Sequence, residues 1–98
     1  MTRDSVLAKL RAHEAELRDM GVKRLSLFGS VARGDNSAAS DVDLAAELDL
    51  SPPRSGFDFF AISDRLRELL GVKVDLLGEP ARRPHMQAEV DRDRIRVF

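Results

Sequence analysis

Asp41 and Asp43 stand one residue apart in Ser40-Asp41-Val42-Asp43-Leu44, downstream of Gly29-Ser30. Two acidic residues around an aliphatic one read as a strand, whose alternate side chains share a face at about 6.5–7 Å along the chain. Carboxylates on one face repel each other, so the pair gains a fold nothing unless a cation lies between them. Mg²⁺ suits the pair, because it prefers oxygen ligands and is usually held by one or two carboxylates together with substrate phosphates. The Gly29-Ser30 turn offers backbone N–H groups and a hydroxyl of the kind that phosphates use. A third carboxylate, Asp75, lies in Val72-Lys73-Val74-Asp75-Leu76-Leu77, on the polar side of an otherwise aliphatic run. Paired metal ions about 3.5–4 Å apart stabilise the attacking and leaving oxygens of an in-line displacement. Such transfer rests mainly on positioning and charge neutralisation, so a small domain can be a complete catalyst. On this reading Asp41 and Asp43 hold the metals, and Asp75 completes the second site and meets the attacking hydroxyl. Gly29 lets the backbone approach phosphate, Ser30 gives a hydroxyl and an N–H, and Arg33 neutralises developing charge.

The elements that must position these residues follow from periodicity. Val6, Leu10, His13, Leu17 and Met20 trace one face of a helix over 4–20, with Thr2, Asp4 or Ser5 available to cap its start and Gly21 to end it. Residues 22–28 read as a strand running into Gly29-Ser30, and 30–34 as a short helix. From Asp41 to Leu48 the chain alternates, with Asp41, Asp43 and Glu47 on one face and Val42, Leu44, Ala46 and Leu48 on the other. A breaker-rich loop, Ser51 to Gly56, precedes a helix marked by Phe59, Ile62, Leu66 and Leu69. Residues 72–77 form a third strand, 83–92 a last helix with Met86 and Val90 inward, and Ile95 to Phe98 a short apolar tail. The order α-β-α-β-α-β-α predicts an α/β domain with a small sheet. If the aliphatic sides of the strands pack on the same helices, all three aspartates project from the opposite side.

Ninety-eight residues suit one domain, here spanning 1–98. With 43% hydrophobic and 34% charged residues the profile is that of a soluble globular chain. The absence of Cys excludes disulfides and thiolate metal sites. No apolar run reaches membrane-span length and no signal-like start is present, so a cytoplasmic setting is expected. A net charge of −1 argues against a general grip on nucleic-acid backbone. His13 reads as part of a helix face and His85 as a polar helix residue, neither a ligand. Phe57, Phe59 and Phe60 read as core or interface, and Arg82-Arg83 as solvated, with nucleotide or partner contact as the alternative.

The segment Gly29-Ser30-Val31-Ala32-Arg33-Gly34, followed by Ser40-Asp41-Val42-Asp43-Leu44 and then Asp75, resembles the signature of the DNA polymerase beta-like nucleotidyltransferase superfamily. The likeness covers residues 22–77 and is strongest to the minimal nucleotidyltransferases. It implies an α/β (α+β) nucleotidyltransferase fold, a small mixed β-sheet flanked by helices. It implies transfer of a nucleoside monophosphate from a nucleoside triphosphate to a hydroxyl, with pyrophosphate released. Asp41, Asp43 and Asp75 would then be catalytic and hold Mg²⁺, with Gly29, Ser30, Arg33 and Ser40 at the nucleotide. Stand-alone members of the family pair with a HEPN-type toxin, so the resemblance implies an antitoxin that moves AMP from ATP to a tyrosine hydroxyl of that partner. Two other readings stay open: an antitoxin acting by binding alone, and a transferase for small molecules or RNA ends.

Overall fold

The computed structural model describes residues 2–35, 41–49 and 56–98, with 56–58 as backbone only. The elements are α1 (Arg3–Ala12), α2 (Glu14–Asp19), β1 (Val22–Phe28), α3 (Gly29–Arg33), β2 (Val42–Leu48), α4 (Gly56–Leu70), β3 (Val74–Gly78), α5 (Pro84–Asp93) and β4 (Ile95–Arg96). Thr2 starts α1 through a capping box, its hydroxyl accepting from the Ser5 N–H at 3.2 Å while Ser5 Oγ accepts from the Thr2 N–H.

Two elements differ from the sequence expectation. The helix foreseen over 4–20 is two helices, broken at His13, whose backbone leaves helical geometry at φ −110°, ψ 20°. Its Nδ1 lies 2.9 Å from the Lys9 carbonyl oxygen, so the side chain meets the end of α1 at the break. Neither Gly nor Pro marks the position, so periodicity runs through it unbroken. The apolar tail also holds a fourth strand, β4, paired antiparallel to β1 at Ser26 and Leu27. Two residues carry too little pattern to be read as a strand. The C-terminal stretch is held by side chains from elsewhere: Arg11 donates to the Arg96 and Val97 carbonyls at 2.9 Å each, and Arg18 lies over the Phe98 ring at 4.8 Å.

The sheet runs β3-β2-β1-β4. β1 is antiparallel to β2, and β2 is parallel to β3, so the sheet is mixed and α4 makes the crossover that a parallel pair needs. The register aligns Leu27, Leu44 and Leu76 in one row across the sheet and Phe28, Asp43 and Asp75 in the next. Strand alternation sends successive rows to opposite faces. The leucine face, with Val42 and Val74, buries itself against Val6 and Leu10 of α1, Leu17 of α2, and Ile62 and Leu66 of α4. Each such side chain taken from water contributes about 1.5–3 kcal/mol, so this face carries most of the fold's hydrophobic stabilisation. The other face has a smaller apolar group, Phe28 and Ala45 under Val90 of α5, with Leu77 at its edge. α5 covers that face only in part and leaves a cleft. Among the described residues no helix is long and apolar enough to cross a membrane.

Candidate active site

The site begins where β1 ends. Phe28 is fully extended at φ −143°, ψ −174°, and the chain then turns into α3 through Gly29 at φ +75°. A side chain is strained at that φ. Space forbids one as well: a Cβ on Gly29 would lie 2.2 Å from Asp43 Oδ2. The backbone of the turn therefore packs directly on the Asp43 carboxylate. Ser30 follows in the first turn of α3, half-buried, where N–H groups have no partner within the helix. Gly34, at φ +78°, closes α3 in the left-handed conformation.

Asp43 and Asp75 are paired across the parallel β2–β3 register and line the same cleft of about 490 Å³ as Gly29 and Ser30. This is the face opposite the main core, as the alternation of both strands predicted. Burial, then the like charges of Asp75 and Asp41, push the Asp43 carboxyl up to about 6. Asp75, on the outer strand of the sheet, is exposed. Asp41 sits one residue before β2 rather than within it, and its Oδ2 lies 3.6 Å from Lys73 Nζ. It is absent from the cleft lining, but its charge is felt at Asp43. Ser40 lies outside the described residues.

The donor set suits an open divalent-cation site. Among the described residues no three Asp, Glu or His side chains converge closely enough to enclose a metal by themselves. Mg²⁺ does not require that, since it commonly takes one or two carboxylates and completes its shell with water and substrate phosphates. A half-buried carboxylate repelled by two others, and only partly offset by the Arg33 charge, has the chemistry that such an ion relieves.

Arg33 lines the cleft, but its guanidinium is already engaged: Nε donates to Asp35 at 3.0 Å and Nη1 to Asp93 at 2.7 Å. Asp93 is nearly enclosed, its side chain 5% exposed, and Arg92 donates to it too, at 3.0 and 3.1 Å. Hydrogen bonds from Arg92 and then Arg33 hold its carboxyl below the usual range. These residues of α5, with Met86 and Glu89, form the wall opposite the sheet. The sequence reading gave α5 no part in the site. The signal was present in the spacing of Met86, Glu89, Val90 and Asp93, at i, i+3, i+4 and i+7, but three polar or flexible members obscure a stripe normally sought in apolar residues.

The profile of the nucleotidyltransferase domain family matches residues 10–97. A protein adenylyltransferase, MntA, of Thermococcus cleftensis is 36% identical over 78 residues, covering 79% of this chain and 77% of its own. A solved structure described as that of a candidate minimal nucleotidyltransferase superposes with a TM-score of 0.80 at 32% identity, over 97% of this chain and 95% of the other. The fold also matches a solved complex of a tri-AMPylated Shewanella oneidensis HEPN toxin with its MNT antitoxin, at TM-score 0.67 and 17% identity, over 99% of this chain and 72% of that one.

Proposed function

Since the chain belongs to the nucleotidyltransferase domain family, and is a minimal nucleotidyltransferase by its likeness to that structure, we propose that it is a cytoplasmic, Mg²⁺-dependent protein adenylyltransferase, the antitoxin of a HEPN-type toxin. It would move AMP from ATP to a hydroxyl of that partner, a tyrosine as the family resemblance implies. The observation that carries this is the juxtaposition of Asp43 and Asp75 in register, directly beneath the Gly29-Ser30 turn, in one cleft. The MntA relative and the toxin–antitoxin complex support the choice of a protein acceptor.

Asp43 and Asp75, with Asp41 beside them, would hold the metal, which supplies neutralising charge for the triphosphate when bound. The chain's own groups do the rest. The N–H groups of Gly29 and Ser30 and the Ser30 hydroxyl receive phosphate oxygens, which the lack of a Cβ at Gly29 lets come close. Arg33, held at the cleft wall by Asp93, presents positive charge to the phosphates. Asp75, exposed where Asp43 is half-buried, is open to an incoming acceptor and would take a hydrogen bond from its hydroxyl. The acceptor oxygen bonds to the α-phosphorus, the bond from that phosphorus to the bridging oxygen breaks, and pyrophosphate leaves. The hydroxyl proton passes to a carboxylate and then to solvent.

Co-expression with a HEPN-type partner and intact-mass measurement of that partner tests the proposal. The expected result is a mass gain of one or more AMP units, lost with Asp41→Asn/Asp43→Asn. A partner held in a complex without mass gain would leave a binding antitoxin. An unmodified, unbound partner together with AMP transfer to an aminoglycoside or RNA end would place the chain with the small-molecule and RNA-end transferases.

A further inference from the structure

A second groove, of about 730 Å³, opens beside the cleft and shares Leu76, Leu77 and Met86 with it, so the two form one continuous depression. Its remaining floor is apolar, from Phe59, Pro80 and Ala81, with Phe59 close enough to Gly78 that a Cβ there would touch its ring at 3.8 Å. Phe60 stands edge-on to Phe59, ring centroids 6.0 Å apart, and is 66% exposed, which carries the apolar surface outward. The rim is positive. Arg82 and Arg83 are exposed and form no ion pair among the described residues. The acidic residue at the rim, Glu79, is already neutralised: Arg94 donates to both its oxygens and Gln87 to one at 2.9 Å. The nucleotide-bearing cleft has the opposite balance, with Asp43 and Asp75 on its floor.

We propose that this groove docks the acceptor segment of the modified protein, an apolar or aromatic stretch with acidic neighbours, delivering its hydroxyl across Leu76 and Met86 towards Asp75. The inference rests on the adenylyltransferase reading and adds the chemistry of the acceptor to it. Acidic flanks would meet Arg82 and Arg83, the apolar portion would cover Phe59 and Pro80, and the shared wall leads from that portion to the carboxylates. An acidic segment would be repelled by the Asp43–Asp75 floor, so charge at the rim and charge in the cleft together set which way the segment lies.

The test uses two fluorescein-labelled random copolymers as probes, one of Glu and Tyr and one of Lys and Tyr, with anisotropy read at low and moderate salt. The wild-type chain should bind the Glu–Tyr copolymer at least about tenfold more tightly than the Lys–Tyr one. Arg82→Glu/Arg83→Glu should weaken Glu–Tyr binding about tenfold or more, and Ala81→Trp, which fills the groove without changing charge, should weaken it at both salts. Binding of Mg²⁺-ATP, measured by calorimetry, should be the same in all three proteins. Equal affinity for both copolymers, or unchanged Glu–Tyr binding in the double variant, overturns the proposal. So does loss of Mg²⁺-ATP binding in a folded double variant, which would assign the groove to the nucleotide. Failure of the wild-type chain to bind Mg²⁺-ATP would instead overturn the nucleotidyltransferase reading, whatever the copolymers do.

Discussion

Asp43→Asn should stabilise the chain while abolishing its activity, and the size of the gain follows from the site. In the folded chain the Asp43 carboxyl lies at about 6 against an ordinary value of 3.8, through burial and the charges of Asp75 and Asp41. A raised folded-state pKa means that the folded chain holds a proton which the unfolded chain has released. Stability therefore falls as pH climbs from about 4 to about 6, and the loss is complete above that. A shift of about two units corresponds to about 3 kcal/mol at 1.36 kcal/mol per unit. Because the group is only half-buried, solvent screening reduces this to about 1.5–2 kcal/mol. For a domain of this size that is roughly 6–15 °C in Tm. Calorimetric melts of wild type and Asp43→Asn without divalent ions should thus separate by that amount at pH 7.5 and converge near pH 4. Mg²⁺ with ATP should raise the wild-type Tm and leave the variant unmoved, since only a state that binds ligand is stabilised by it. A variant less stable than wild type at pH 7.5, or a Tm difference independent of pH, would refute the claim that the Asp43 charge is a net cost to the fold.

Gly29→Ala should lower stability by at least the roughly 1–2 kcal/mol of a side chain in the left-handed region, and more because its Cβ meets Asp43 Oδ2 at 2.2 Å. Gly34→Ala, at a similar φ but with nothing within 4 Å, should show the conformational cost alone, so denaturant midpoints of the two variants isolate the clash. Arg33→Gln and Asp93→Asn should each weaken ATP binding about tenfold in calorimetry, the worth of one charge-assisted hydrogen bond; an Asp93→Asn protein with wild-type affinity would mean that Asp93 does not position Arg33.

Much of this architecture was legible because two strands obey a period of two without exception where it matters. Val42 to Leu44 and Val74 to Leu76 each set an aspartate against flanking aliphatics, and those aliphatics went into the core as that pattern requires. The parallel register that sets Asp43 against Asp75 was not legible, since pairing depends on where α4 returns the chain. Strand β4 escaped for a related reason, since Arg11, 85 residues earlier, binds its Arg96 carbonyl; the break at His13 escaped because a local contact to the Lys9 carbonyl, not Gly or Pro, accompanies it. Arg33 was singled out for its place after the glycine turn, yet its partner Asp93 lies 60 residues away and nothing in the local sequence points to it.

These facts divide the molecule by face. On one side of the sheet, α1, α2 and α4 bury seven of the largest enclosed side chains, Leu10, Leu17, Leu25, Leu27, Leu44, Ile62 and Leu66, with none of them exposed to water. On the other, α5 meets the rest of the chain through the Arg33–Asp93 ion pair, hydrogen bonds of Gln87 with Glu79 and Ala81, and one buried valine, Val90. A site that places carboxylates side by side is costly, and here that cost falls on a sheet whose opposite face supplies the stability. The same division explains how Asp43 is tolerated with no ion pair among the described residues: the strand that carries it is fixed by Val42 and Leu44, whose packing does not depend on the charge beside them.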